Sequence, residues 1–291
     1  LSSSGPISPS DPALPEVQHF SVARAEDPVW TLPDVVVIGL CLYLFPIVLE
    51  MLSLLILMKI RGLSSTQATG LVESAFILVP AQTAGYLLLV AFMVWMVRMR
   101  SRETASWDEL RGMPIPQTLQ IPVPDFLTAI RWNMPRSSRA FAALAGGFGL
   151  AIGSEIFSWL LQKWIPKTLP IDELFRDRAS AYLLALFGIL VAPFVEELFF
   201  RGFLFPALAR RIGSAASILI TAAAFAVIHQ GQLAHAWVPL GWLFIVGIVL
   251  TAVRARTKSV ATSVLIHIGY NATIFTLLFF ATQGFRHMER A

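Results

Sequence analysis

Charge is what this chain has least of. Of its 291 residues only 14% are Asp, Glu, Lys or Arg, where a soluble domain carries about 25%. With 56% hydrophobic residues and a mean hydropathy of +0.69, that deficit excludes an ordinary soluble fold and implies a polytopic membrane protein. Cysteine is nearly absent as well. The single Cys41 excludes an intrachain disulfide and any cysteine metal site, and its apolar setting reads as a small buried side chain. Net charge is only +4, in short dispersed clusters without an aromatic-plus-basic pattern. That excludes a nucleic-acid surface and leaves membrane topology as the use of the basic residues. No charged-then-apolar signal peptide precedes residue 34. The opening LSSSGPISPSDPALPEV, without an initiator methionine, reads as part of a disordered tail over 1–33.

What the chain has instead is long apolar runs, and about 20 such residues cross a bilayer. The pattern predicts an all-α, polytopic membrane helix bundle of about seven transmembrane helices. The spans fall near 34–58, 72–97, 140–162, 181–205, 214–230, 237–254 and 259–281. The fifth is short, and Gly241 and Gly247 interrupt the sixth. Pro46, Pro80 and Pro193 lie inside spans and predict kinks. The proline-rich loop 98–139 separates a two-span part, 34–139, from a five-span part, 140–291. Placing that loop in the cytoplasm puts twelve Lys and Arg on its side of the spans against eight on the other, a modest positive-inside bias.

Against this background VAPFVEELFFRGFLF, residues 191–205, is conspicuous. A charged side chain at a membrane helix centre costs roughly 2.5–3.5 kcal/mol on the milder insertion scales. Adjacent glutamates point about 100° apart on a helix, so Glu196 and Glu197 serve different ends. Glu197 and Arg201 are four apart, acid first, the favourable order for an intrahelical pair. Glu196 has no such partner. Two further pairs sit on later spans at the same spacing, Phe225 with His229 and His267 with Asn271. A buried Glu hydrogen-bonded through water to a His can serve as general base, and a second His with an Asn amide can donate to an oxyanion.

Glu196-Glu197-x-x-x-Arg201, Phe225-x-x-x-His229 and His267-x-x-x-Asn271, in this order on successive membrane helices, resemble the CPBP family. That family comprises the type II CAAX prenyl endopeptidases and their bacterial relatives, also called the ABI family. The resemblance covers roughly residues 180–282, a third of the chain, and implies an intramembrane endopeptidase. It implies that Glu196 and His229 activate the attacking water, that His267 and Asn271 stabilise the oxyanion, and that Glu197 and Arg201 support the site; Phe225 reads as packing against it. Residues 1–139 fall outside it.

No cofactor is required by these roles. Zinc is the alternative, with Glu196, His229 and His267 as ligands and water in the fourth position, although the usual His-Glu-x-x-His helix is absent. The partners expected are a peptide or membrane-protein substrate, prenylated or not, and the lipid bilayer of a bacterial plasma membrane or endoplasmic reticulum, with the site opening towards the cytoplasm. The sequence does not set an oligomeric state. A competing reading is a proton-coupled transporter or channel using Glu196, His229 and His267 as a relay, although no paired broken-helix repeats stand out. Of the other ionisable groups, Asp34 and Glu73 read as span-edge residues, Glu50 and Glu155 as facing a bundle interior or wet groove, and His235 and His287 as loop residues. Tyr270 reads as packing.

Overall fold

The computed structural model describes residues 28–64, 74–110, 125–175 and 177–287, without the side chains of 104–110. The expectations placed on the tail up to residue 27, on Glu73 and on the proline-rich stretch 111–124 lie outside the described residues. The chain runs through α1 (Leu32–Arg61), α2 (Ala75–Leu110), α3 (Ser137–Leu161), α4 (Arg178–Ile212), α5 (Ser214–Val227), α6 (Trp237–Thr257) and α7 (Val260–Ala281). No strand occurs among the described residues.

Six of these helices are long and apolar enough to cross a membrane. The fifth expected span is shorter than the apolar run suggested. α5 has 14 residues, about 21 Å at 1.5 Å per residue, against a hydrocarbon core of about 30 Å. The protein is therefore an all-α, multi-pass membrane bundle, with six helices of spanning length and one short apolar helix among the described residues.

Three other boundaries differ from expectation, each for a local reason. α2 runs on to Leu110, so Arg98 to Arg102 are helical rather than loop, and Trp-Asp-Glu-Leu at 107–110, read from the sequence as a short interfacial helix, continues α2 instead of standing apart. α6 is continuous through Gly241 and Gly247; Gly247 is a close-packing position, where an added Cβ would lie 2.9 Å from the Ala222 Cα of α5. Residues 28–33, expected to belong to the tail, are described, and Trp30 among them packs on α4. Trp30 is fully buried, with its ring 4.4 Å from that of Phe203 and its indole N–H donated to the Phe203 carbonyl at 3.1 Å.

Two backbone contacts set the frame. A Cβ on Gly147 of α3 would fall 2.1 Å from the Ile266 carbonyl oxygen, and one on Gly269 of α7 would fall 2.5 Å from that of Leu144. Small residues of this kind let membrane helices meet backbone to backbone. In the N-terminal hairpin, a Cβ on Gly85 of α2 would lie 2.6 Å from the Pro46 nitrogen of α1. The hairpin is also tied at its ends. Arg100 donates to both oxygens of Asp34 at 2.6 and 3.1 Å, while Thr31 donates its backbone N–H to the same carboxylate. Arg210 of α4 donates to the Pro28 and Trp30 carbonyls at 3.1 and 3.2 Å. α1 and α4 therefore run antiparallel, with the start of α1 against the end of α4.

Candidate active site

Glu196 and Glu197 close a short α-helical stretch, Ala192–Glu197, set within α4 between two π-helical stretches, Phe187–Val191 and Leu198–Leu204. Such wide turns are rare and concentrate at functional sites. The first has a visible cause. The Ala192 N–H bonds to the Phe187 carbonyl, five residues back. The next carbonyl in that register, of Gly188, would need an N–H from Pro193, which has none. Asn271 of α7 supplies it, donating Nδ2–H to the Gly188 oxygen at 2.6 Å. The kink expected at Pro193 is thus a π turn completed by a side chain from another helix.

Glu197 and Arg201 form the expected pair, both fully buried. Arg201 Nη1 stands 2.6 Å from Glu197 Oε1. The guanidinium is satisfied further by Thr251 Oγ1 at 3.2 Å and the Gly247 carbonyl at 3.1 Å, and it lies 4.7 Å from the centre of the Phe225 ring. Breaking such a pair from one side leaves an uncompensated buried charge, at a cost of about 3–5 kcal/mol.

His267 connects this pair to Glu196. Its Nδ1 is 3.0 Å from Glu197 Oε1 and its Nε2 is 3.9 Å from Glu196 Oε2. An ionised carboxylate only accepts, so Nδ1 carries a hydrogen and Nε2 is the nitrogen turned to Glu196. His229 lies in the turn that follows α5 and is half-buried. Its Nδ1 is 2.8 Å from the Phe225 carbonyl, which can only accept. In the neutral ring that leaves Nε2 with a free lone pair. Phe225 separates the two imidazoles, with ring centres 5.0 Å from His229 and 5.7 Å from His267.

The structure thus brings Glu196, Glu197, Arg201, Phe225 and His267 into one packed network, with His229 joined to it through Phe225. Asn271 stands apart, one turn beyond His267 on α7 and bonded to Gly188. Glu196 and His229 share a wall of a cavity of about 210 Å³, large enough for water beside part of a substrate. The opposite wall comes from the hairpin: Leu42, Tyr43, Pro46, Ile47 and Glu50 from one face of α1, and Leu78, Gln82 and Tyr86 from α2. Of these, the sequence singled out Glu50 as a polar group facing the interior and Pro46 only as a kink. Thr251 went unnoticed, and Gly247 was read only as an interruption of its span. The spacing of four between Leu78, Gln82 and Tyr86, and again between Gly247 and Thr251, was a usable signal.

The three side chains named for zinc do not gather into a ligand set. Among the described residues no group of three His, Cys, Asp or Glu has the spacing to hold a metal ion. Tyr270 packs as expected, 8% exposed, with its hydroxyl 3.3 Å from Ser154 Oγ.

No curated protein and no solved structure matches the chain. Residues 178–273 match the family model for the type II CAAX prenyl endopeptidase Rce1-like proteins. That segment holds α4, α5, α6 and the part of α7 bearing His267 and Asn271, so every member of the network just described falls within it. This segment, a third of the chain, is similar to the Rce1-like type II CAAX prenyl endopeptidases.

Proposed function

We propose that the protein is an intramembrane endopeptidase in which Glu196 and His229 activate water against a peptide bond of a membrane-associated substrate. The observation that carries this is the shared cavity. Glu196 reaches it from α4 and His229 from the turn after α5, while Glu197, the adjacent carboxylate, is neutralised by Arg201 behind it.

The chemistry follows from which groups are free. A water held between the Glu196 carboxylate and His229 Nε2 gives its proton to Glu196 as its oxygen attacks the carbonyl carbon. The tetrahedral oxyanion takes hydrogen bonds from His267 Nε2 when that nitrogen carries a hydrogen, and from the second amide hydrogen of Asn271, the first being held by Gly188. The C–N bond then breaks, and the proton passes from Glu196 to the leaving nitrogen, returning the carboxylate to its starting form. Glu197 and Arg201 hold His267 in place and do not touch the reacting atoms. The family match supports C-terminal prenylated peptides as one substrate class, with unprenylated peptides or membrane proteins as the other.

Membrane orientation is a separate part of the proposal. The arginine-rich helix ends, with Arg100, Arg131, Arg210 and Lys258, gather where α1 begins and α7 begins. Glu50, Leu78 and Gln232 line the cavity towards the opposite end. A cytoplasmic opening therefore requires either that the arginine-rich end face away from the cytoplasm or that a path run past α5. Labelling of Gln232→Cys in a Cys41→Ala background, by an impermeant thiol reagent on sealed vesicles of known sidedness, decides between them.

The activity itself is tested by peptide cleavage in nanodiscs with prenylated and unprenylated reporters. Glu196→Gln should lower turnover by about 10²–10⁴-fold, the range of a lost general base, without lowering the yield of inserted protein. Cleavage that persists in this variant overturns the assignment. Cleavage lost on adding a strong zinc chelator would move Glu196, His229 and His267 to a metal.

A further inference from the structure

The N-terminal hairpin lies outside the family match, yet it builds half of the cavity. Its polar groups differ in their use. Gln82 donates to the Tyr86 hydroxyl at 3.3 Å, and the Tyr86 ring stacks on Phe187 of α4 at 5.9 Å. Glu50 stands on the same face of α1 as Leu42 and Pro46 and makes no hydrogen bond or ion pair among the described residues. Its helix is otherwise apolar from Val35 to Met58 apart from Ser53 and the Tyr43 hydroxyl. A carboxylate at that depth without a partner is a functional feature by default.

We infer that Glu50 is a substrate-binding residue that selects peptides bearing a cationic side chain, Lys or Arg, about three or four residues from the scissile bond. The spacing comes from the antiparallel packing of α1 on α4. Gly39 abuts the Phe199 ring, where an added Cβ would lie 3.2 Å away. Three residues back along α4 from that level is Glu196, and three residues on along α1 is Leu42, which lines the same cavity. Glu50 lies eight residues past Leu42, about 12 Å along the helix. An extended peptide covers that distance in three to four residues at about 3.3 Å each. The cation of a bound substrate supplies the partner that the protein withholds from Glu50.

This inference rests on the endopeptidase reading, and the test separates the two. Full-length protein in nanodiscs is given a peptide library in which one position at a time is Lys, Gln or Glu, and the products are read by mass spectrometry. Wild type should favour Lys over Glu by about tenfold in kcat/KM at the position three or four residues from the cut. Glu50→Gln should flatten that ratio, and Glu50→Lys should reverse it. A ratio near one in wild type, or a Lys preference unchanged in Glu50→Gln, overturns the assignment. If wild type cleaves nothing, the endopeptidase reading has failed by itself. Binding of fluorescent Lys and Glu peptides to the same proteins then decides: a Glu50-dependent preference for the Lys peptide sustains the cation subsite, and equal binding overturns it.

Discussion

α1 and α4 each carry a carboxylate about 27 Å from their first residue at 1.5 Å per residue, Glu50 in one and Glu196 in the other. Their surroundings are opposite. In the most apolar stretch of α4, 56% of residues are buried within the protein, against 17% in that of α1. α4 surrounds its charges with a guanidinium, an imidazole and the Thr251 hydroxyl, whereas α1, beyond the Asp34 paired at its start, presents the single acid Glu50 from a largely exposed surface. The difference shows how to sort ionisable groups in a membrane protein. A charge satisfied within the fold, such as Glu197, holds the architecture. A charge left facing a cavity, such as Glu196 or Glu50, is available to something that arrives later.

That sorting can be broken most forcefully at Arg201. Arg201→Ala should cost about 3–5 kcal/mol, because Glu197 is left charged and unpaired at zero exposure. Thermal unfolding in detergent measures it, and adding Glu197→Gln should recover much of the loss. If Arg201→Ala unfolds at the wild-type temperature, the pair is not structural and the comparison fails.

Next in size are two changes that strain the frame around α7. Gly147→Ala drives a methyl against the Ile266 carbonyl oxygen, 2.1 Å away, and should cost about 1–3 kcal/mol. Because Ile266 precedes His267, turnover per folded molecule should fall too. Asn271→Ala leaves the Gly188 carbonyl without its donor, again at about 1–3 kcal/mol. Pro193→Ala in that background returns a backbone N–H to the same carbonyl. It should restore stability but not cleavage, which separates the structural use of Asn271 from its proposed use on the oxyanion. Recovery of both would confine Asn271 to a structural role.

The smallest effect is at the start of α4. Asp177 caps this helix by accepting from the Ala179 and Ser180 N–H groups and the Ser180 hydroxyl. The Ser180 hydroxyl and N–H hold its carboxyl below the ordinary carboxylate range. A depressed acid stabilises the fold above its unfolded value, near pH 4, and loses that contribution as pH falls through its lowered value. Asp177→Ala should cost about 1 kcal/mol near neutrality. Asp177→Asn, also a good cap, should cost less and should flatten the acid limb of unfolding temperature against pH.

Much of the candidate site was legible in the sequence because its signals are local. The i and i+4 spacing of Glu197 with Arg201 fixes a pair within one helix. The improbable cost of charge at membrane depth singled out Glu196, and His229 and His267 stood at repeated spacings on apolar helices. What was not legible depends on contacts between helices. Nothing in the order Phe187–Val191 announces a π turn until Pro193 and Asn271 are seen to share the Gly188 carbonyl. Gly247 read as an interruption because its close neighbour, Ala222, lies on a different helix. Tyr86 and Gln82 read as ordinary span residues, since their relation to Glu196 exists only once α1 and α2 pack as a hairpin against α4. The end of α5 was hidden by an apolar run that continues to Ile228 after the helix has stopped.

The shortness of α5 also makes the bilayer itself a variable of the proposed reaction. Leu219, Ile220 and Val227 face outwards, so lipid chains beside a helix about 9 Å shorter than the hydrocarbon core must compress or tilt. Hydrophobic mismatch of this kind costs fractions of a kcal/mol per Å and sorts proteins among membranes of different thickness. The strain falls on the turn that carries His229. Turnover should therefore be highest in nanodiscs of short acyl chain and decline as the chains lengthen, so that the lipid composition around one short helix sets the pace of the reaction.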